Sequence, residues 1–327
     1  MFFYLARRLA NYVVLLFIAV SLAYLIASST MDPRTLFDIS DATRDWGAIE
    51  RQLVEYNISR STPVLERYQI WITKIFTSWD WGVTPQGTDV GSIIGVRIWV
   101  SLRLIILGSI IGMVGGVALG AWTAARQYKM SDRVFSLLAL IIISTPTIVL
   151  ATLLQIGATR YNLATGTEFF EFMGETGRHG DYFGAAFIDR LQHLLLPTIS
   201  MSLHGIASYS RYQRNMMLDT LGADYVRTAR AKGLRKSAAI RNHALRTALV
   251  PMATMFAFAV AGLFLGATIT EQVFGWHGMG IFGVESIHGQ DINGTAAVVA
   301  FSGVCTLTGA LLSDVLTVVV DPRVRVS

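Results

Sequence analysis

Cysteine and charge are what this sequence has least of. Its 327 residues include one cysteine, Cys305, inside an apolar run. A single thiol excludes an intramolecular disulfide and any cysteine-built metal cage, so Cys305 is expected to be a small buried hydrophobe. Charged residues make up 15% of the chain against 53% hydrophobic residues, with a mean hydropathy of +0.49. Soluble domains carry about a quarter charged residues, so this composition is that of an integral membrane protein. Motifs for chemistry are missing too. The six histidines are scattered, no His-Glu-x-x-His occurs and no Gly-x-Ser-x-Gly elbow occurs, which argues against a zinc protease or a serine hydrolase. No catalytic residue, metal site or cofactor is expected in this chain, and no nucleic-acid partner.

What is present is a series of long apolar runs. A bilayer span needs about 20 mostly apolar residues, because its backbone polar groups must be bonded within the helix. That ruler gives spans near residues 9–29, 101–124, 134–158, 191–213, 250–271 and 295–320. The chain is expected to be all-α and polytopic, with about six transmembrane helices. The first run follows Arg7 and Arg8 and ends near Ala27-Ser28-Ser29; it exceeds the roughly 7–15 residues of a signal-peptide core and reads as a retained anchor helix over 1–30.

Charge sets the orientation. The connection 125–133 carries Arg126, Lys129 and Arg133 against Asp132, and 214–249 carries eight basic residues against Asp219 and Asp224. The alternate connections are acidic or neutral: 30–100 has seven basic and nine acidic residues, 159–190 three and five, and 272–294 no Lys or Arg. Short basic loops stay in the cytoplasm. A multi-pass protein of the cytoplasmic membrane with both termini cytoplasmic follows, with 31–100 outside and a core over 101–327. In the external segment, Leu65, Tyr68, Ile72 and Ile75 fall at helical spacing after Pro63. This predicts an amphipathic helix at the membrane surface, serving either to pack on the spans or to dock a partner.

The basic connection contains "DYVRTARAKGLRKSAAIRNHALRTALVP", Asp224 to Pro251. Residues 224–232 favour a short helix, Gly233 suits a left-handed C-cap, and Ser237 is placed to cap a second helix that leads to Pro251 and the fifth span. Such an element is either a lipid-attracted loop or a docking element for a cytoplasmic partner. It is not a phosphate-binding loop, because Leu234 and Arg235 separate Gly233 from Lys236.

"DYVRTARAKGL" followed by "HALRTALVP" resembles the cytoplasmic loop of ABC importer permeases of the peptide branch, the dipeptide and oligopeptide permease B subunits. "LARRLANYVVLLFIAVSLAYLI", "HLLLPTISMSL", "ITEQVFGWHGMG" and "DVLTVVVDPRVR" agree with it in order along the chain. The resemblance implies a type I importer permease fold. It also implies the partners: a second homologous permease subunit, two ATP-binding subunits that hold ATP and magnesium, an extracytoplasmic substrate-binding protein, and the lipid bilayer. Carried onto this sequence, it places Asp224, Tyr225, Arg227, Ala229, Ala231, Lys232 and Gly233 in the contact that couples the permease to the ATPase, within the loop 214–250. Arg227-Thr228-Ala229 stands where the broader importer pattern has Glu-Ala-Ala, and His277 where the pattern has proline. Related members import nickel, which leaves a small-solute importer as an alternative cargo class.

Polar residues within or beside spans are the remaining candidates, since ionisable groups there usually face a protein interior or a wet cavity. His204 and Gln155, with Trp276 and Glu271 after the fifth span, are expected to line the path or form an outer gate. Arg211 borders the fourth span, and Asp314 is expected to make a structural hydrogen bond in the sixth. Gly108, Gly112, Gly115, Gly116 and Gly120 form a small-residue face suited to close helix packing. A secondary carrier independent of ATP is the competing class; such carriers generally use mid-membrane carboxylates, and Asp314 is the only clear one within an expected span.

Overall fold

The computed structural model describes residues 2–37, 45–177 and 184–320, without the side chains of 2–6, 250, 253–254, 256–266 and 313–320. Asp314 and the Asp321-Pro322-Arg323 segment therefore fall outside the described side chains. Regular structure among the described residues is helical, apart from an isolated bridge between Val83 and Asp89. The helices are α1 (Phe2–Thr30), α2 (Trp46–Glu55), α3 (Val64–Ser78), α4 (Val90–Ala125), α5 (Met130–Ser144), α6 (Thr147–Thr165), α7 (Ala185–Leu221), α8 (Asp224–Ala231), α9 (Lys236–Ala239), α10 (Leu245–Phe274), α11 (Met279–His288) and α12 (Ile292–Val320). A π turn at Ile240–Ala244 joins α9 to α10. The chain forms two compact units, Met1–Ser101 with His277–Leu307, and Leu102–Trp276 with Thr308–Ser327.

Three helical segments among the described residues are long and apolar enough to cross a membrane: Arg7–Thr30, Val90–Ala125 and Ile292–Leu312. They contain most of the expected spans 9–29, 101–124 and 295–320. The expected span 134–158 is not a continuous helix, since α5 and α6 meet at 109°. Thr145 is extended (φ −90°, ψ 125°) and Pro146 opens α6. A proline disfavours the helical region for the residue before it, so Thr145-Pro146 breaks a run that composition alone reads as one. The other two expected spans lie in α7 and α10, of 37 and 30 residues.

The α7 sequence is too polar to rank with the apolar helices, and its place in the second unit explains why. Helices α5, α6 and α10 all pack on it, so Thr198, Ser200, Ser202, Ser210 and Gln213 are buried among helices. The Ser202 and Ser210 hydroxyls donate to the carbonyls of Ile199 and Ala207 in the same helix, which meets their hydrogen-bonding need locally.

The expected glycine face of α4 lies against α7. A Cβ added at Gly112 would sit 3.3 Å from the Gly205 Cα, and one at Gly116 would sit 2.5 Å from the Tyr209 Cβ. At Gly108 the neighbour is Met201, and at Gly120 it is Ser210 with Gln213. The partners rise together along both helices, so the two run parallel, with backbones approaching as small-residue ladders permit.

In the first unit, α3 packs on α1. Tyr24 stacks on Trp71 at 4.3 Å between ring centroids, and Ser21 Oγ and Tyr68 Oη are 2.8 Å apart. Arg67 is buried, and its Nη2 donates to the Ser28 carbonyl at 2.9 Å. The buried stripe is thus Arg67 and Trp71 with Tyr68, Ile72 and Ile75 beside it, while Leu65 is exposed. The amphipathic helix forms where periodicity placed it, but Trp71 turns into the protein. The inner face of α3 packs on α1, while Leu65, Ile70 and Phe76 are exposed.

Candidate functional site

The basic connection folds as helix, bend, helix. Helix α8 closes with two hydrogen bonds, Gly233 N–H to the Arg230 carbonyl at 3.0 Å and Leu234 N–H to the Ala229 carbonyl at 3.2 Å. These are the paired bonds of a Schellman motif, which requires a left-handed residue after the cap. Gly233 supplies it at φ +89°. The second helix does not start as expected. Ser237 lies inside α9 and Arg235 occupies the N-cap without a side-chain bond, because the Schellman closure leaves the chain ready to turn again two residues earlier. Pro251 lies within α10.

Periodicity decides what this element shows to solvent. Val226 and Ala229 point inward onto a cluster of Ala124, Met217, Ala239, Ala244 and Ala248. Asp224, Tyr225, Arg227, Arg230, Ala231, Lys232, Gly233, Arg235 and Lys236 are exposed. Ala229, expected in a partner contact, is buried instead: its place at the inward position of α8 makes it part of the base. The other expected coupling residues lie together on the outer surface. Their charge is almost uncompensated, since Asp224 is the acidic residue among them and stands 3.9 Å from Arg227 with both side chains in solvent. Such a pair contributes little, and the guanidinium groups remain available for forked bonds to carboxylates.

A feature not anticipated from the sequence lies between α5 and α7. Arg214 Nε and Nη2 bond Asp132 Oδ1 and Oδ2 at 2.7 and 2.9 Å. The Asp132 side chain is 3% exposed and that of Arg214 24%; Tyr128 N–H also donates to Asp132 at 3.2 Å. The signal was visible as the one acidic residue of the basic connection 125–133, but its partner is 82 positions away. Arg214 lies one turn before Met217, so the bidentate pair fastens α5 to α7 next to the base of α8. Removing one member of a buried pair costs about 3–5 kcal/mol, and the partial exposure of Arg214 puts the expected loss for Asp132→Ala near about 3 kcal/mol. Chemical unfolding of Asp132→Ala, Arg214→Met and the double variant checks this. The double variant is expected to be more stable than Asp132→Ala alone, because no unpaired cation remains.

Three of the four expected path and gate residues, Gln155, Glu271 and Trp276, lie at the end of α10, and the fourth, His204, is on α7. Gln155 on α6 donates to the Val273 carbonyl at 2.7 Å and so ties α6 to the end of α10. Glu271 and Trp276 are both buried, and Trp276 N–H closes the end of α10 on the Glu271 carbonyl at 2.9 Å. Gly275 provides the left-handed residue there, at φ +64°. His204 sits on α7 with its Nδ1 buried. Gln155 also lines an open cavity of about 500 Å³ with Thr159, Arg160 and Phe172, and Arg211 is exposed.

Residues 116–326 match the family described as "Binding-protein-dependent transport system inner membrane component". The chain is 48% identical over 329 residues to the oligopeptide transport system permease proteins OppB of Mycobacterium tuberculosis and Mycobacterium bovis, with 99% of each chain covered. It is 29% identical over 328 residues to the oligopeptide transport system permease protein AppB of Bacillus subtilis, covering 98% of this chain and 99% of that one. It is also 29% identical over 324 residues to the dipeptide transport system permease protein DppB of Lactococcus lactis, again covering 98% and 99%.

Proposed function

Because the chain belongs to the family of binding-protein-dependent transport system inner membrane components, we propose that it is a permease subunit of an ATP-driven importer of oligopeptides or dipeptides. It forms half of a translocation path with a second, homologous permease subunit. Two cytoplasmic ATPase subunits bind ATP and magnesium and dock on the two permeases, and an extracytoplasmic binding protein delivers the cargo. Both termini are cytoplasmic, on the side of the basic connections.

The observation that carries this reading is the outer surface of α8. Tyr225, Arg227, Arg230 and Lys232 are exposed on a helix whose inner face is anchored by Val226 and Ala229. A surface rich in exposed cations, on a helix anchored by its inner face, fits an acidic cleft on an ATPase. Coupling then requires that the inward- and outward-facing permease bind the ATPase with different free energies, since equal binding shifts nothing. ATP-driven closure of the ATPase dimer selects one arrangement of α8, and with it one arrangement of the helix ends under it.

The test is uptake of a labelled peptide by proteoliposomes holding the complete assembly. Uptake is expected only with ATP on the ATPase side and with both ATPase subunits present. Uptake by this chain alone, driven by an ion gradient, would establish the carrier reading instead. The outer end of α10 supplies a second test. Trp276→Phe keeps an aromatic ring but loses part of the buried indole, and it is expected to lower uptake about tenfold, a change of 1.4 kcal/mol in barrier. Unchanged uptake by the assembled variant would reduce this end of α10 to a structural turn.

A further inference from the structure

The segment between α6 and α7 brings together three groups able to hold a metal ion. Glu171 lies on the connection after α6, and Asp189 and His193 lie one turn apart near the start of α7. One ligand atom from each falls within 4.8 Å of the others. Asp189 and His193 are buried, and Glu171 is partly exposed.

The hydrogen bonds fix which nitrogen is available. His193 Nδ1 is 2.9 Å from the Asp189 carbonyl oxygen. A carbonyl only accepts, so Nδ1 carries a proton, and in the neutral imidazole Nε2 presents a lone pair. That lone pair faces Glu171 Oε2 at 3.7 Å. Two acceptors therefore oppose each other at a separation too long for a hydrogen bond. The spacing is close to the about 3.4 Å expected between two ligands of one tetrahedral ion, each about 2.0–2.1 Å from it.

The surroundings favour a cation further. Glu175 on the same connection is already paired with Arg103, whereas Glu171 has no Lys or Arg partner among the described residues. Asp189 accepts Gly177 N–H at 3.1 Å and stands 3.3 Å from His193 Nδ1. An Nδ1–H held by a carbonyl and a carboxylate is the arrangement that orients metal-bound histidines. Glu171 and His193 also line an open cavity of about 600 Å³ with Asn162, Thr167 and Glu168, which leaves room for water to complete the coordination.

The geometry points to a binding site for one divalent cation of the zinc type, with His193 Nε2 and the Glu171 carboxylate as ligands and Asp189 orienting the imidazole. Nitrogen with oxygen ligands suits such an ion, whereas calcium requires six to eight oxygens. The ion clamps the connection to α7. That connection is also tied to α10, because Gly174 N–H donates to the Phe274 carbonyl at 2.9 Å. Occupancy therefore stiffens the junction of α6, α7 and α10 beside Glu271 and Trp276. None of this depends on the identity of the transported cargo.

The experiment is a zinc titration of the purified full-length chain in detergent, after chelator treatment, by competition with a chromophoric chelator. Hydrogen exchange at Gly174 and Gly177 is the second readout. Expected are one zinc per chain, slower exchange at both amides when zinc is bound, and at least tenfold weaker binding by Glu171→Gln and by His193→Gln. Glu168→Gln, in the same cavity, is expected to bind as the native chain does. Failure of the native chain to bind zinc overturns the proposal, as does equal binding by Glu171→Gln. So does amide protection at Gly174 and Gly177 that ignores zinc.

Discussion

Gly233→Pro is expected to abolish the stimulation of ATP hydrolysis by substrate and binding protein while the subunits still assemble. Proline fixes φ near −65°, whereas Gly233 sits at φ +89°. The variant also removes the N–H that bonds the Arg230 carbonyl and closes α8. No neighbouring atom lies within 4 Å of a Cβ at this position, so the backbone conformation, not crowding, is what the substitution destroys. Gly233→Ala is the graded companion. A residue with a Cβ held in the left-handed region costs about 1–2 kcal/mol, and proline about 3 kcal/mol or more. Stimulation is therefore expected to fall in the order glycine, alanine, proline, with the last at least tenfold below the first. The measurement uses the reconstituted complex with peptide and binding protein, and subunit stoichiometry is checked by size exclusion. Full stimulation in assembled Gly233→Pro would mean that α8 and its bend are a lipid-facing loop, and the docking role would have to move elsewhere.

Gly116→Leu is expected to separate α4 from α7 and to leave the chain aggregated or proteolytically open when extracted from the membrane. A Cβ there stands 2.5 Å from the Tyr209 Cβ and 3.1 Å from the Ile206 carbonyl oxygen. Those are atoms close to the backbone and cannot swing aside. Overpacking by single methylenes costs about 1–3 kcal/mol, and leucine adds four carbons against a facing helix. Gly157→Leu is the control, since nothing lies within 4 Å of a Cβ at that glycine of α6. Trypsin resistance and monodispersity in detergent read the result. If Gly116→Leu behaves like Gly157→Leu, the α4 and α7 backbones do not meet at this glycine.

Local rules were legible in the sequence and distant pairings were not. The α8 helix and its left-handed glycine follow from residues within one turn of each other, and the α4 glycine face follows from spacing alone. The bend at Thr145-Pro146 was also written locally, but the apolar run across it outweighed a single proline. Ser237 failed as a cap because the closure of the preceding helix, not the capping side chain, set where the chain turns. The apolar run 191–213 marked part of α7, but that Thr198, Ser200, Ser202, Ser210 and Gln213 are buried among other helices was not legible. Asp132 with Arg214, and Glu171 with His193, are pairs that only folding brings together. Nothing in a single sequence connects positions 82 or 22 residues apart when neither pair sits on a recognisable motif. Trp276 and Glu271 were chosen for type and place; that both are buried and joined by the Trp276 N–H to Glu271 carbonyl bond was not legible.

The alanine base under α8 has a mechanical consequence. Ala124, Ala229, Ala239, Ala244 and Ala248, with Val226 and Met217, make up the buried cluster that joins this short helix to the ends of α4, α7 and α10. Alanine has no side-chain torsion with which to yield, and close-packed interiors compress little. The joint therefore has low compliance. A displacement imposed on the outer face of α8 meets few side-chain torsions in this cluster that could absorb it before it reaches the three helix ends, as through a short stiff lever.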